Sequence, residues 1–134
     1  MRYVLDASVA VAAAHPSEST HAAALARVMR VMHGLDELVV PVIFAIEVAA
    51  ALSRTGSPAP VIERFIAPLI ASPTRIITIG PRTAQRIQRV AVRLRLRAAD
   101  AAYVWLAERE GVALITSDRE MLRRGAAICQ VRAP

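Results

Sequence analysis

Short runs of β-branched and other apolar residues alternate along this chain with longer segments of helical periodicity. That alternation is typical of a parallel β-sheet whose strands are connected by helices packed on its faces. Strands are predicted at residues 3–5, 38–40, 75–79, 112–116 and 128–131. Helices are predicted over residues 17–32, 42–54, 57–71, 81–97 and 101–109, with a short helix beginning at residue 117. The sequence therefore predicts an α/β fold.

A single domain over residues 1–134 is expected, because 134 residues is a usual domain size and no linker or low-complexity block interrupts the pattern. The longest nearly unbroken apolar run, residues 38–46, is about half the length that crosses a bilayer. The single cysteine excludes an internal disulfide framework and a multi-cysteine metal cluster. A lone cysteine fits a reducing compartment, so a cytoplasmic location is expected.

All 17 basic residues are arginines, against 11 acidic residues, which gives a net charge of +6. This balance favours a polyanionic partner such as RNA or DNA. The absence of lysine argues against a P-loop, and against phosphoryl-transfer or receiver-type α/β domains that generally place a lysine at the phosphate. The mean hydropathy of +0.41 is high for a monomer and indicates an apolar surface that a partner covers.

Four acidic residues stand in apolar surroundings, where an ionised carboxylate is costly unless a cation compensates it. Asp6 ends an apolar strand, and Glu47 is the one polar side chain in residues 42–52. Asp100 lies between pairs of alanines, and Asp118 follows a second apolar strand. If those strands are parallel, two of the acids share the carboxyl edge of the sheet, where α/β folds usually bind ligands. Clustered carboxylate oxygens suit Mg²⁺ or Mn²⁺.

Each of these acids also has a purely structural interpretation. Asp6 is suited to cap a turn or a helix after the first strand, and Asp100 to cap the helix predicted from Ala101. Glu47 would be compensated by a core arginine. The segment Ser117-Asp118-Arg119-Glu120 fits a capping box, in which Asp118 is only favourable to the helix dipole. The remaining acids, Asp36 among them, have polar neighbours or lie beside turns and are expected to face water.

One predicted helix face is strongly basic. At 100° per residue, five side chains fall within an arc of about 80°, namely Arg82, Arg86, Arg89, Arg93 and Arg97. Leu96 is an apolar exception inside that arc. The face is predicted either to bind RNA phosphates or to be a solvated helix surface.

The acids occur in four short segments, Val4-Leu5-Asp6-Ala7-Ser8, Ile46-Glu47-Val48, Ala99-Asp100-Ala101-Ala102 and Ile115-Thr116-Ser117-Asp118. In order and spacing these segments resemble the motifs of the PIN-domain ribonucleases, and the compact size of the chain is similar to that of the VapC-type toxins of bacterial toxin–antitoxin pairs. The resemblance covers essentially the whole chain. One departure is that residues 42–46, just before the glutamate, are all apolar where relatives commonly have a small polar residue.

This resemblance implies a three-layer PIN-like fold with a parallel sheet of about five strands between helices. It implies a catalytic group of four carboxylates, Asp6, Glu47, Asp100 and Asp118. Three of them, Asp6, Asp100 and Asp118, are expected to bind Mg²⁺ or Mn²⁺, and the glutamate to complete the site directly or through water. Two hydroxyls are expected to support the acids, those of Ser8 and Thr116.

The implied function is a Mg²⁺-dependent endoribonuclease toxin that hydrolyses RNA phosphodiester bonds and is inhibited by a cognate antitoxin. A homodimer is implied as well. The alternative is a catalytically inactive PIN-like domain that binds nucleic acid or a partner protein. An RNA cleavage assay with and without Mg²⁺ distinguishes the two functions.

Overall fold

The computed structural model describes residues 1–71 and 73–134. Five parallel strands form one sheet in the spatial order β3-β2-β1-β4-β5. The strands are β1 (Arg2–Leu5), β2 (Glu37–Pro41), β3 (Arg75–Ile77), β4 (Ala113–Ile115) and β5 (Val131–Arg132). The helices are α1 (Ala7–Ala14), α2 (His21–Met32), α3 (Phe44–Arg54), α4 (Ala59–Ile70), α5 (Pro81–Leu94), α6 (Ala98–Glu110) and α7 (Arg119–Arg124), with a 3₁₀ turn at Gly125–Ala127. The predicted α/β fold, with five parallel strands flanked by helices, is confirmed.

The direction in which the chain adds strands reverses beside β1. The chain adds β2 and then β3 on one side of β1, and then returns to add β4 and β5 on the other side. Tyr3 accordingly pairs with Leu38 of β2 and with Ala113 of β4. The crevice at the carboxyl ends of β1 and β4 is thus a topological switch point, which is where open α/β sheets bind ligands.

The core surrounds the three inner strands, β2, β1 and β4. Helix α6 is buried along residues 100–107, so it has no polar face over two turns, and Asp100 is the one carboxylate in that stretch. Such a helix packs within the protein rather than on its surface. In the described part of the chain, no helix is both long enough and apolar enough to cross a membrane.

Three of the local differences from the sequence-based prediction have a clear physical cause. Helix α1 was not predicted, because its alanines are buried on more than one side and show no amphipathic stripe. Helix α5 ends at Leu94 because Arg95 adopts a left-handed conformation with φ 54°. The last strand begins at Val131 rather than residue 128, because Ile128 and Cys129 donate their N–H groups to the Gly125 carbonyl and continue the 3₁₀ turn.

The end of α5 corrects the predicted arginine face. Leu96, the apolar exception in that face, is 8% exposed and packs in the core once the chain has left the helix. Arg97 is therefore not on α5 with the other four arginines; it precedes α6 as its N-cap residue. The placement of Arg97 on that face was wrong because the 100° spacing holds only as long as the helix continues.

Asp36 was expected to face water, and this was wrong. Its side chain is buried and accepts hydrogen bonds from Arg30, with Nε 2.7 Å from Oδ2 and Nη2 2.9 Å from Oδ1. This bidentate pair holds the pKa of Asp36 well below its ordinary value. Asp36 is thus a structural carboxylate, compensated by a cation six residues before it.

Candidate active site

A cleft of about 240 Å³ lies at the carboxyl ends of β1 and β4. All four acids singled out in the sequence line it, although they come from separate elements of the fold. Its polar lining consists of Asp6, Ser8, Glu47, Arg54, Arg97, Asp100 and Asp118. Thr116 is fully buried and contacts the cleft from behind, through Asp6.

Asp6 is held by two hydroxyl groups. It directly follows β1, its backbone N–H donates to the Ile115 carbonyl of β4 at 3.0 Å, and it is 4% exposed. Its Oδ2 accepts hydrogen bonds from Thr116 Oγ1 at 2.8 Å and from Ser8 Oγ. Burial nevertheless raises the pKa of Asp6, because the two hydroxyls offset only part of the lost hydration. Both hydroxyls named in the sequence analysis therefore contact Asp6 directly.

Asp118 and Asp6 are linked through Thr116. The Thr116 hydroxyl donates to Asp6 and accepts from the backbone N–H of Asp118 at 3.0 Å. Asp118 is the N-cap of α7, and its Oδ1 accepts from the backbone N–H of Met121 at 2.9 Å. The cap is therefore Asp118 itself and not Ser117, where the expected capping box begins. Its other oxygen, Oδ2, faces Arg97 in the cleft.

Glu47 is supported by a residue that the sequence analysis missed. It lies in the first turn of α3, and its Oε1 accepts a hydrogen bond from the Tyr103 hydroxyl of α6 at 2.6 Å. Burial raises the pKa of Glu47, and the Tyr103 hydrogen bond opposes that shift. The prediction that a core arginine compensates Glu47 was wrong, since its hydrogen-bond partner is Tyr103. Tyr103 stands three residues after Asp100, and this spacing puts both side chains on one helix face. The sequence therefore contained a signal that Tyr103 lies near the acidic residues.

Arg97 bridges two of the acids. Its Nε is 3.0 Å from Asp100 Oδ2, and its Nη2 is 3.3 Å from Asp118 Oδ2. Its side chain is 78% exposed, so the guanidinium reaches the cleft from the solvent side. Burial still raises the pKa of Asp100, against the lowering effect of Arg97. Asp100 is not a cap as suggested, because α6 begins two residues earlier, at Ala98.

The chemistry of the cleft fits a hard divalent cation. Burial raises the pKa of Asp6, Glu47 and Asp100, which means that their negative charges are incompletely compensated. Carboxylate oxygens are the ligands that Mg²⁺ and Mn²⁺ prefer. Over residues 1–71 and 73–134, however, no three acidic, histidine or cysteine side chains already converge closely enough to hold one ion. The Arg97 guanidinium supplies the positive charge between Asp100 and Asp118.

The four arginines on α5 lie outside this cleft. Arg82, Arg86, Arg89 and Arg93 are exposed along one side of the helix. They are not among the residues that line the acidic cleft. Of the five arginines predicted to form one basic face, Arg97 is the one that lines the cleft.

Comparison with known proteins agrees with this fold. The family model described as PIN domain matches residues 3–127. The structure of PAE2754 from Pyrobaculum aerophilum is similar, with a TM-score of 0.67, 25% identity, and coverage of 98% of this chain and 83% of that protein. VapBC2 from Rickettsia felis, bound to a DNA fragment from its promoter, gives a TM-score of 0.69 at 14% identity, covering 99% of this chain and 98% of the other.

FitAB bound to the IR36 DNA fragment gives a TM-score of 0.69 at 18% identity, with coverage of 100% and 95% of the two chains. No curated protein sequence matches the chain. At these identities VapBC2 and FitAB show a common fold alone. Since the family model spans nearly the whole sequence, from Tyr3 to Ala127, the chain belongs to the PIN domain family.

Proposed function

We propose that this chain is a Mg²⁺- or Mn²⁺-dependent endoribonuclease and the toxin of a toxin–antitoxin pair. The observation that carries the proposal is the convergence of four carboxylates on one cleft, at the switch point of a PIN domain fold. PIN domains are generally nucleases. The similarity in fold to VapBC2 and FitAB supports the toxin–antitoxin context, and the net charge of +6 supports a nucleic acid substrate.

Three carboxylates would hold the cation, those of Asp6, Asp100 and Asp118. When bound, Mg²⁺ or Mn²⁺ supplies positive charge that stabilises the phosphate oxygens and makes water a better nucleophile. The hydroxyls of Ser8 and Thr116 keep the Asp6 carboxylate in one rotamer, so that its free oxygen presents a fixed ligand.

Glu47 is suited to take the proton of the attacking water. Burial raises the pKa of its carboxyl, and a carboxylate with a raised pKa is a stronger base at neutral pH. The Tyr103 hydroxyl fixes one oxygen of Glu47 and leaves the other available for the proton.

Arg97 competes with the cation for two of its ligands. We expect Arg97→Gln to bind Mg²⁺ and Mn²⁺ about tenfold more tightly, because the cation no longer displaces an ion pair or meets a like charge. Isothermal titration calorimetry on the protein without RNA measures this directly. The matched control is Arg54→Gln, since Arg54 lines the same cleft and no ion pair to it is found in the described residues. Equal or weaker binding by Arg97→Gln would contradict the competition.

Partners are proposed from exposed apolar side chains. Ile46, Leu35 and Val92 are 65%, 60% and 75% exposed, and the mean hydropathy is +0.41. Such surfaces mark protein interfaces. We assign them to a cognate antitoxin and to a second copy of this chain, acting in the cytoplasm. The exposed arginines of α5 are proposed to contact RNA phosphates.

A cleavage assay tests the proposal. The purified protein with Mg²⁺ is expected to cut structured RNA internally and to leave DNA of the same sequence intact, with products resolved by denaturing electrophoresis. The second candidate, an inactive binding domain, is favoured by the Arg97 bridge across Asp100 and Asp118. RNA that is bound by the protein but remains uncut at every Mg²⁺ and Mn²⁺ concentration would establish that candidate instead.

A further inference from the structure

A second depression, of about 460 Å³, lies at the opposite end of α7 from the acidic cleft. Its lining contains four arginines, Arg93, Arg95, Arg123 and Arg124. Asp118, which precedes α7, lines the acidic cleft, whereas the last two residues of α7, Arg123 and Arg124, line this depression. Helix α7 has six residues and is therefore about 9 Å long.

The segment that joins α5 to α6 contacts residues near both ends of α7. At one end the side chain of Arg124 donates a hydrogen bond to the Arg95 carbonyl. At the other end Arg97 reaches Asp118 in the cleft, at 3.3 Å. The same short segment, from Arg95 to Arg97, thus contributes to both the basic depression and the acidic cleft.

The charge of the depression is poorly compensated. Glu120 is the carboxylate that pairs with its arginines, lying 3.1 Å from Arg123 Nη2 and 2.7 Å from Arg124 Nε. In the described residues no carboxylate lies within ion-pair distance of Arg93 or Arg95. Four guanidinium groups against one carboxylate leave a concentrated positive charge, which attracts an anion.

Backbone conformation gives an independent indication. Arg95 has φ 54°, and it is the one residue other than glycine with a positive φ among the described residues. At the corresponding position after α6 the chain has Gly111, with φ 64°. A long side chain at such a position costs conformational energy that glycine does not. This left-handed residue ends α5, and the chain places a guanidinium at the rim of the depression where glycine would be the less costly residue.

We propose that this depression binds a backbone phosphate of the RNA whose cleaved bond lies in the acidic cleft, which rests on the proposed function. A guanidinium matches phosphate oxygens with two parallel hydrogen bonds. Arg93 is also the last of the exposed arginines along α5, so the depression continues a basic track. A continuous track beside a catalytic cleft fits a polyanion with regularly repeated charges better than it fits an acidic peptide.

The test is a double variant, Arg93→Gln/Arg95→Asn. Asparagine tolerates a positive φ better than most residues, so the backbone of the loop is preserved. Binding of a short, mixed-sequence, fluorescent single-stranded RNA is measured by anisotropy in EDTA, where cleavage is absent, over a series of salt concentrations. We expect about tenfold weaker binding at low salt, and a salt slope smaller by about 0.7, which corresponds to one phosphate contact on a single strand.

The control is Arg27→Gln/Arg64→Gln, which removes the same charge from α2 and α4 and is expected to change binding much less. Equal binding losses in the two double variants, with matching melting temperatures, would overturn the inference. So would displacement of the RNA by poly-glutamate at an equal concentration of charge, since the occupant would then be an acidic protein. Because binding is measured without metal, RNA that binds through this depression but is never cut would refute only the proposed function.

Discussion

Replacing Asp6 with asparagine is expected to reduce RNA cleavage by about 10³-fold or more while making the metal-free protein more stable. Cleavage falls because the neutral amide is a poor cation ligand. Stability rises because burial raises the pKa of Asp6 above its ordinary value of 3.8. A carboxyl of this kind favours the folded state below pH 3.8, and that contribution is lost as the pH rises through the folded pKa.

The measurement is the melting temperature in EDTA as a function of pH, together with initial cleavage rates in Mg²⁺. Between acidic and neutral pH, the parent protein should lose more stability than the Asp6→Asn protein does. Asp100→Asn should behave in the same direction, because burial also raises the pKa of Asp100. A lower melting temperature for Asp6→Asn at neutral pH would make Asp6 a structural residue instead.

Asp36→Asn provides a matched control, because Asp36 is a buried aspartate outside the cleft. Arg30 lowers its pKa, so its contribution to stability is present above the ordinary pKa and is lost as the pH falls. We therefore expect Asp36→Asn to destabilise the protein at neutral pH, by about 1–2 kcal/mol. The specific cleavage rate of its folded fraction should stay unchanged. A gain of stability at neutral pH in Asp6→Asn and a loss in Asp36→Asn would distinguish a carboxylate placed to bind a cation from one held in an internal ion pair.

Removing divalent cations is expected to abolish cleavage completely, and Mg²⁺ or Mn²⁺ added in excess should restore it. The same cations should raise the melting temperature, since binding to the folded state stabilises by RT ln(1 + [L]/Kd), about 2.7 kcal/mol at a hundred times Kd. A bound cation would offset the free-energy cost of burying the negative charges of Asp6, Glu47 and Asp100. The protein's own hydrogen bonds and charges offset that cost only in part. Differential scanning fluorimetry and the electrophoretic assay measure the two effects on the same samples.

The thermal shift should disappear in Asp6→Asn and Asp100→Asn and persist in Asp36→Asn. Cleavage that continues in EDTA would contradict the metal-dependent mechanism. A thermal shift of equal size in all the variants would place the cation somewhere other than this cleft.

Much of the fold follows from local sequence patterns. Buried parallel strands such as β1 and β4 are short apolar runs, and α3 and α5 have one-sided periodicity, so each is recognisable without tertiary information. Helix α1 escaped recognition because periodicity reports an exposed face, and five of its eight residues are buried. Asp36 was misjudged for a related reason, since nothing in its immediate neighbours shows that Arg30 folds back onto it.

The α/β class and the four carboxylates in apolar surroundings are recognisable from local sequence, because hydrophobic period and desolvation cost are properties of neighbouring residues. Tertiary packing places β1 beside β4, which brings Thr116 to Asp6 across 110 residues of chain. It also turned Arg97 out of the α5 face and into the cleft, and brought Tyr103 to Glu47. Strand order and such contacts depend on how whole elements pack against one another, and no local window of sequence contains that packing energy.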